Sequence, residues 1–170
     1  DFLKSLPNLQ KITINECENV RDFNTDDFPN LKSISLNNIS KSMSFLKYLD
    51  YSEIKKIDSK GIEVNYNNPK DEVEKYASKV DTIVKSFGDV TNLTDEEKLD
   101  KVLIYVLDNL VYDKKVDEEG QKAEELAEQY NTDKIKYALD SDSLAICCNY
   151  AELTTVLANR VDLETYSTYN

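Results

Sequence analysis

Two segments of this chain read almost alike. Leu6-Pro7-Asn8-Leu9-Gln10-Lys11-Ile12-Thr13-Ile14-Asn15-Glu16-Cys17 is echoed by Phe28-Pro29-Asn30-Leu31-Lys32-Ser33-Ile34-Ser35-Leu36-Asn37-Asn38-Ile39, with Leu9 and Leu31 22 residues apart. A weaker third copy, Ile54-Lys55-Lys56-Ile57-Asp58-Ser59-Lys60-Gly61-Ile62, begins 23 residues after Leu31. The shared pattern is L-x-x-L-x-L, with an apolar residue or cysteine three positions on. A repeated unit this short cannot bury its apolar face alone and stacks on its neighbours. The pattern predicts one short strand per copy, near residues 12–14, 34–36 and 57–59. Ser59 and Gly61 weaken the third copy, as expected of a terminal repeat.

The pattern resembles the leucine-rich repeat, whose period is about 20–29 residues. That resemblance implies a short solenoid end over residues 1–66 that binds a protein partner. It places Cys17 at a position usually held by Asn or Cys, a buried structural thiol. Repeats of this kind are typical of bacterial surface proteins, so the expected location is extracellular or on the cell surface. Since Asp1 falls inside the pattern, the chain reads as part of a longer protein.

The period changes after Tyr66. Asn68-Pro69 can start a helix, because Asn caps and Pro suits the first helical position. Val73, Tyr76, Ala77, Val80, Ile83, Val84 and Phe87 then share one helical face, and Gly88 can end it. Thr94 with Glu97 forms a capping-box signature. Leu99, Val102, Leu103, Val106, Leu107 and Leu110 follow as an apolar stripe. Residues 113–122 read as a charged loop. Ala123, Leu126, Ala127 and Tyr130 suggest a short helix, and Lys134 to Leu139 one more turn. Ala151, Leu153, Val156, Leu157 and Ala158 belong to a last helix, and Thr165 to Tyr169 to a strand.

A net charge of −12 repels polyanions, since nucleic-acid binding needs clustered Lys and Arg. The lysines at 55–56 and 114–115 have acidic neighbours, so no nucleic-acid partner is expected. Asp95-Glu96-Glu97 and Asp117-Glu118-Glu119 read as a helix first turn and a solvated loop. No apolar stretch approaches the ~18 residues of a membrane span, so no membrane insertion is expected. The three cysteines, at 17, 147 and 148, lack zinc-site spacing. Neither a metal nor another cofactor is expected.

The chemistry concentrates in Ile146-Cys147-Cys148-Asn149-Tyr150-Ala151-Glu152-Leu153. A cysteine at the start of a helix meets unpaired backbone N–H groups and the positive end of the helix dipole, which favour an anion. In that helix Cys147 shares a face with Tyr150, Ala151 and Thr154, and Cys148 faces with Glu152 and Thr155. Two cysteines beside an apolar helix are also ordinary small core residues. A helical domain with purely structural thiols is therefore a standing alternative. The chain has no histidine, so the usual cysteine–histidine pair cannot be completed within it.

Two stretches together resemble the transglutaminase-like superfamily. Thr94-Asp95-Glu96-Glu97-Lys98, running through Tyr105 to Asp108-Asn109-Leu110-Val111-Tyr112-Asp113, is similar to the family's helix before the active site. Cys147-Cys148-Asn149-Tyr150-Ala151 is similar to its nucleophile motif C-x-x-Y-A. That spacing assigns the nucleophile to Cys147 and leaves Cys148 a packing role. The family's usual glycines are absent, with Ser143, Ala145 and Asn149 in their neighbourhood. Asn149 is acceptable there because Asn tolerates unusual backbone angles.

The resemblance implies acyl transfer through a thioester by a cysteine acyl-transferase or peptidase, with histidine and aspartate on strands after the nucleophile helix. The expected fold class is α+β: the leucine-rich end over 1–66, then a mostly helical, truncated transglutaminase-like half-domain over 67–170. An uncovered apolar face on that half-domain would favour self-association. The competing expectation is a non-catalytic protein-binding module on a degenerate scaffold of the same kind.

Overall fold

A computed structural model describes residues 6–15, 25–37, 46, 51–66, 69–118, 120–132, 134–140 and 144–165. The chain is α+β. Strands β1 (Lys11–Asn15), β2 (Ser33–Asn37) and β3 (Glu63–Tyr66) form a parallel sheet in that order, with helix α1 (Tyr51–Ser59) between β2 and β3. Helices α2 (Lys70–Ser86) and α3 (Asp95–Asn109) follow. Strand β4 (Val111–Tyr112), a 3-10 turn over Lys114–Asp117, and helices α4 (Gln121–Thr132) and α5 (Lys134–Leu139) come next. Strand β5 (Leu144–Ala145) pairs in parallel with β4 and leads into helix α6 (Cys147–Arg160).

The first two repeat copies pair where their sequences align. Lys11 lies opposite Ser33 and Ile12 opposite Ile34, the same 22-residue offset that separates Leu9 from Leu31. Ile12 and Ile34 are both buried. Asn30 Nδ2 donates to the Pro7 carbonyl at 2.8 Å, tying the two Pro-Asn corners together.

The third copy departs from expectation. The strand predicted near 57–59 is instead the last turn of α1, and the sheet's third strand is β3, with Ser33 opposite Glu63. The L-x-x-L spacing serves a helix equally well, and Ile54 and Ile57 lie one turn apart, both fully buried. Gly61, at φ +69°, closes α1. Its N–H donates to the Asp58 carbonyl at 2.9 Å and the Ile62 N–H to the Ile57 carbonyl at 3.4 Å, a Schellman ending. The glycine that weakened the strand pattern is thus a helix stop. Cys17 and residues 166–169 of the expected last strand lie outside the described residues.

α2 buries Val73, Tyr76, Ala77, Val80 and Ile83, with Phe87 buried just beyond its end. Pro69 stands one position before the first helical residue rather than on it, and Asn68 lies outside the described residues. Gly88, at φ +75°, ends the helix as expected. α3 has its capping box: Glu97 N–H donates to Thr94 Oγ1 at 3.3 Å, and Thr94 N–H to Glu97 Oε2 at 2.8 Å. Its apolar stripe, however, is split. Val102, Val106 and Leu110 are buried, while Leu99, Leu103 and Leu107 are exposed.

One apolar core runs from Ile12 and Ile34 through Ile54, Val80 and Val102 to Leu157 and Leu163. Arg160, at the end of α6, joins three segments across it. It donates to Asp81 Oδ1 on α2 at 2.5 Å and to the Leu46 carbonyl at 3.3 Å. Asp81 Oδ2 in turn accepts the Tyr51 N–H at the start of α1, at 3.2 Å. Among the described residues no helix is long and apolar enough to cross a membrane.

Candidate functional site

The two motifs that sequence places some 35 residues apart meet through the β4–β5 pair. Val111 lies opposite Leu144 and Tyr112 opposite Ala145, and Asp113 N–H donates to the Ala145 carbonyl at 2.9 Å. Two residues later the chain enters α6 at Cys147. Cys147 is the first helical residue and is exposed, whereas Cys148 is buried. The rest of the helix follows that division. Ala151 is exposed and Tyr150 and Thr154 half-buried on the Cys147 face, while Glu152 and Thr155 are buried with Cys148.

The thiols therefore differ in chemical access. Cys148 packs with Tyr130 and Ile146 in a small second core. Burial pushes its thiol up, and neither Lys134 nor the N–H groups of Cys148 and Asn149 offset that. Tyr112 stands near Cys147, on the neighbouring strand. Its hydroxyl donates to Asp117 Oδ1 at 3.0 Å. That hydrogen bond raises the phenol above its ordinary range, and Cys147 is close enough to add to the effect.

The α6 N-terminus is held by two side chains, Asn149 and Asp113, neither of which has that role in the sequence-based expectations. Asn149 is fully buried. Its Oδ1 accepts the Ile146 N–H at 2.8 Å, and its Nδ2 donates to the carbonyls of Tyr130 at 3.1 Å and Lys134 at 3.0 Å. Asn149 is thus an ordinary helical residue that caps α6 from its third position, not one chosen for unusual backbone angles. The only non-glycine residue with positive φ among those described is Asp162. Asn149 stands three residues after Ile146, the capping-box position normally filled by Glu or Gln, a signal available in the sequence.

Asp113 is the second anchor. It is buried, accepts the Tyr130 hydroxyl at 2.8 Å on Oδ2, and accepts the Lys115 N–H at 3.1 Å on Oδ1. The Tyr130 ring meets Tyr137 edge-on at 4.8 Å. β4, α4 and α6 are thereby locked around one point, Asp113–Tyr130–Asn149. Nothing in the local sequence marked Tyr130 for this part. Ala145 is buried in strand β5, and Ser143 lies outside the described residues.

The segment leading to β5 is held from α2. Asp140 accepts from the Tyr76 hydroxyl at 2.7 Å, from Lys79 at 3.0 Å and from Lys75 at 3.3 Å. Burial pushes its carboxyl up, but the hydrogen bonds from Tyr76, Lys79 and Lys75 outweigh this, and it titrates below the usual range. Lys79 also donates to the Leu139 carbonyl at 2.7 Å. Among the described residues no three Cys, Asp or Glu side chains gather as a metal site. The arrangement can present one accessible thiol on a rigid helix start beside a tyrosine. Comparisons with protein-family models, curated proteins and solved structures return no match.

Proposed function

We propose that residues 67–170 carry the nucleophile half of a transglutaminase-like cysteine acyl-transferase or peptidase. Residues 1–66 would be the end of a leucine-rich array that engages a protein partner. One observation carries the enzymatic reading: an exposed Cys147 at the first residue of α6, with Tyr112 near it and Asp113 bonded to Ala145 just before the helix. In this reading the Cys147 thiolate attacks a carboxamide or peptide carbonyl, forms the thioester, and releases the amine. Asp113 acts as a positioning residue, since both its carboxylate oxygens are occupied within the fold. The matched 22-residue offset of β1 and β2 supports the repeat reading of the first region.

The absence of histidine favours a second reading, a non-catalytic binding module. A missing general base typically costs ~10²–10⁴-fold, so these 170 residues alone are expected to be nearly inert toward a carboxamide. Alkylation with iodoacetamide at pH 7, read by peptide mass mapping, tests the nucleophile assignment. Cys147 is expected to be modified in the folded chain and Cys148 only after denaturation. Labelling of Cys148 with Cys147 spared would reject it.

A further inference from the structure

α3 exposes a strip that mixes two chemistries. At about 100° per residue, Leu103, Glu96, Leu107, Asp100 and Ile104 fall within one arc of roughly 100°, and all five are exposed. Ile104 and Leu107 show 60% and 68% of their surface. Lys98 and Lys101 lie outside that arc. Val111 and Tyr112, also exposed, continue the apolar surface beyond the helix.

The carboxylates on this strip differ from three of the four on α2, the exposed Asp71 being the exception. Glu72 is bound by Lys136, Glu74 by Lys55 and Asp81 by Arg160. Among the described residues no ion pair engages Glu96, Asp100 or Asp108. The strip is apolar enough to gain from being covered and carries carboxylates that no cation among the described residues pairs with.

We propose that the outer flank of α3 docks a cationic amphipathic helix of another protein. Its apolar stripe would cover Leu103, Ile104 and Leu107, and its Lys or Arg residues would meet Glu96 and Asp100. The helix-on-helix geometry follows from the spacing of the strip, since residues at i, i+4 and i+8 offer a ridge for a partner's groove. A second copy is the poorer occupant. Two such strips face to face would oppose Glu96 and Asp100 of each copy, within chains of net charge −12. Phosphate-rich partners are repelled for the same reason. This inference is independent of the acyl-transfer reading.

The test uses the whole 170-residue chain and a fluorescein-labelled helical peptide of Leu and Lys, with Leu at i, i+3, i+4 and i+7. Two controls accompany it: one with Glu for every Lys, and one of scrambled order that destroys the stripe. Fluorescence anisotropy should show saturable binding of the Lys peptide only, weakened by high salt. Leu107→Glu should weaken it about tenfold and Asp100→Lys several-fold, with far-UV circular dichroism unchanged in both. Equal binding of the scrambled peptide, insensitivity to Leu107→Glu, or no saturation by about 1 mM overturns the proposal. So does a dimer in sedimentation velocity that Leu107→Glu dissociates, which would give the face to a second copy.

Discussion

α2 and α3 are neighbours in sequence, similar in length, and carry apolar residues at the same three- and four-residue spacing. Their surroundings treat them differently. α2 turns its whole stripe toward the core, and three of its four carboxylates, Glu72, Glu74 and Asp81, find partners on α5, α1 and α6. α3 buries only Val102 and Val106, with Leu110 at its end, and leaves Leu103, Ile104 and Leu107 at the surface beside acids that form no ion pair among the described residues. Periodicity says that a helix has an apolar face, but not how much of that face its neighbours will cover. α2 is packed by α1, α5 and α6, whereas α3 leans chiefly on α6. One helix is a core element, and the other is half core and half surface.

That contrast can be broken most directly by placing a charge on each helix. Val80→Asp buries a carboxylate in the core at a penalty of several kcal/mol, a large part of an ordinary stability of about 5–15 kcal/mol. Leu107→Asp changes an exposed site and should stay within ~0.5 kcal/mol. Urea unfolding monitored by circular dichroism decides. Equal losses in the two variants would mean that α3 is covered in solution.

Removing one carboxylate from each helix is the next step. Asp81→Ala removes one of the partners of Arg160, its carboxylate, in a mostly buried setting and should cost up to about 3 kcal/mol. Asp100→Ala should be neutral or slightly stabilising, because it removes one negative charge from an acidic surface. Thermal denaturation of both variants checks this, and a large loss for Asp100→Ala would reveal a partner within the chain.

Thr94→Ala probes the support that α3 does possess. Loss of the capping box should cost about 1 kcal/mol, read from the urea midpoint. A negligible cost would mean that packing on α6 alone holds the helix. The smallest effect is expected where α2 restrains Asp140. Its folded-state carboxyl titrates below the unfolded value, so the stabilisation is complete above about pH 4 and is lost as pH falls through the folded value. Because the pair is partly solvated, the effect should be under about 1 kcal/mol. Wild type and Asp140→Asn should differ at pH 6 and converge at low pH. A constant difference across that range would refute the assignment.

Much of this fold was legible where local chemistry decides. Thr94 and Glu97 marked the start of α3, Gly88 the end of α2, and the Leu9–Leu31 spacing the register of β1 and β2. Legibility failed where a pattern serves two structures. Ile54 and Ile57 suit a strand or a helix, and Gly61 tipped the segment to a helix with a Schellman end. At the candidate site, Cys147 was separated from Cys148 by the resemblance to a C-x-x-Y-A motif, because helical spacing put the polar Glu152 and Thr155 on the Cys148 face. The part played by Asn149 was signalled only by its third-position placement, and that of Tyr130 not at all.

By itself the sequence determined the start of α3, the end of α2, and the 22-residue offset at which the first two strands pair. All of these follow from side-chain geometry within a few residues or from a repeat that copies itself. The tertiary structure alone decided that Tyr112 lies near Cys147, that Asn149 and Tyr130 lock the start of α6, and that α3 keeps half its apolar stripe in water. Such outcomes depend on which distant surfaces meet, and residue spacing carries no record of that.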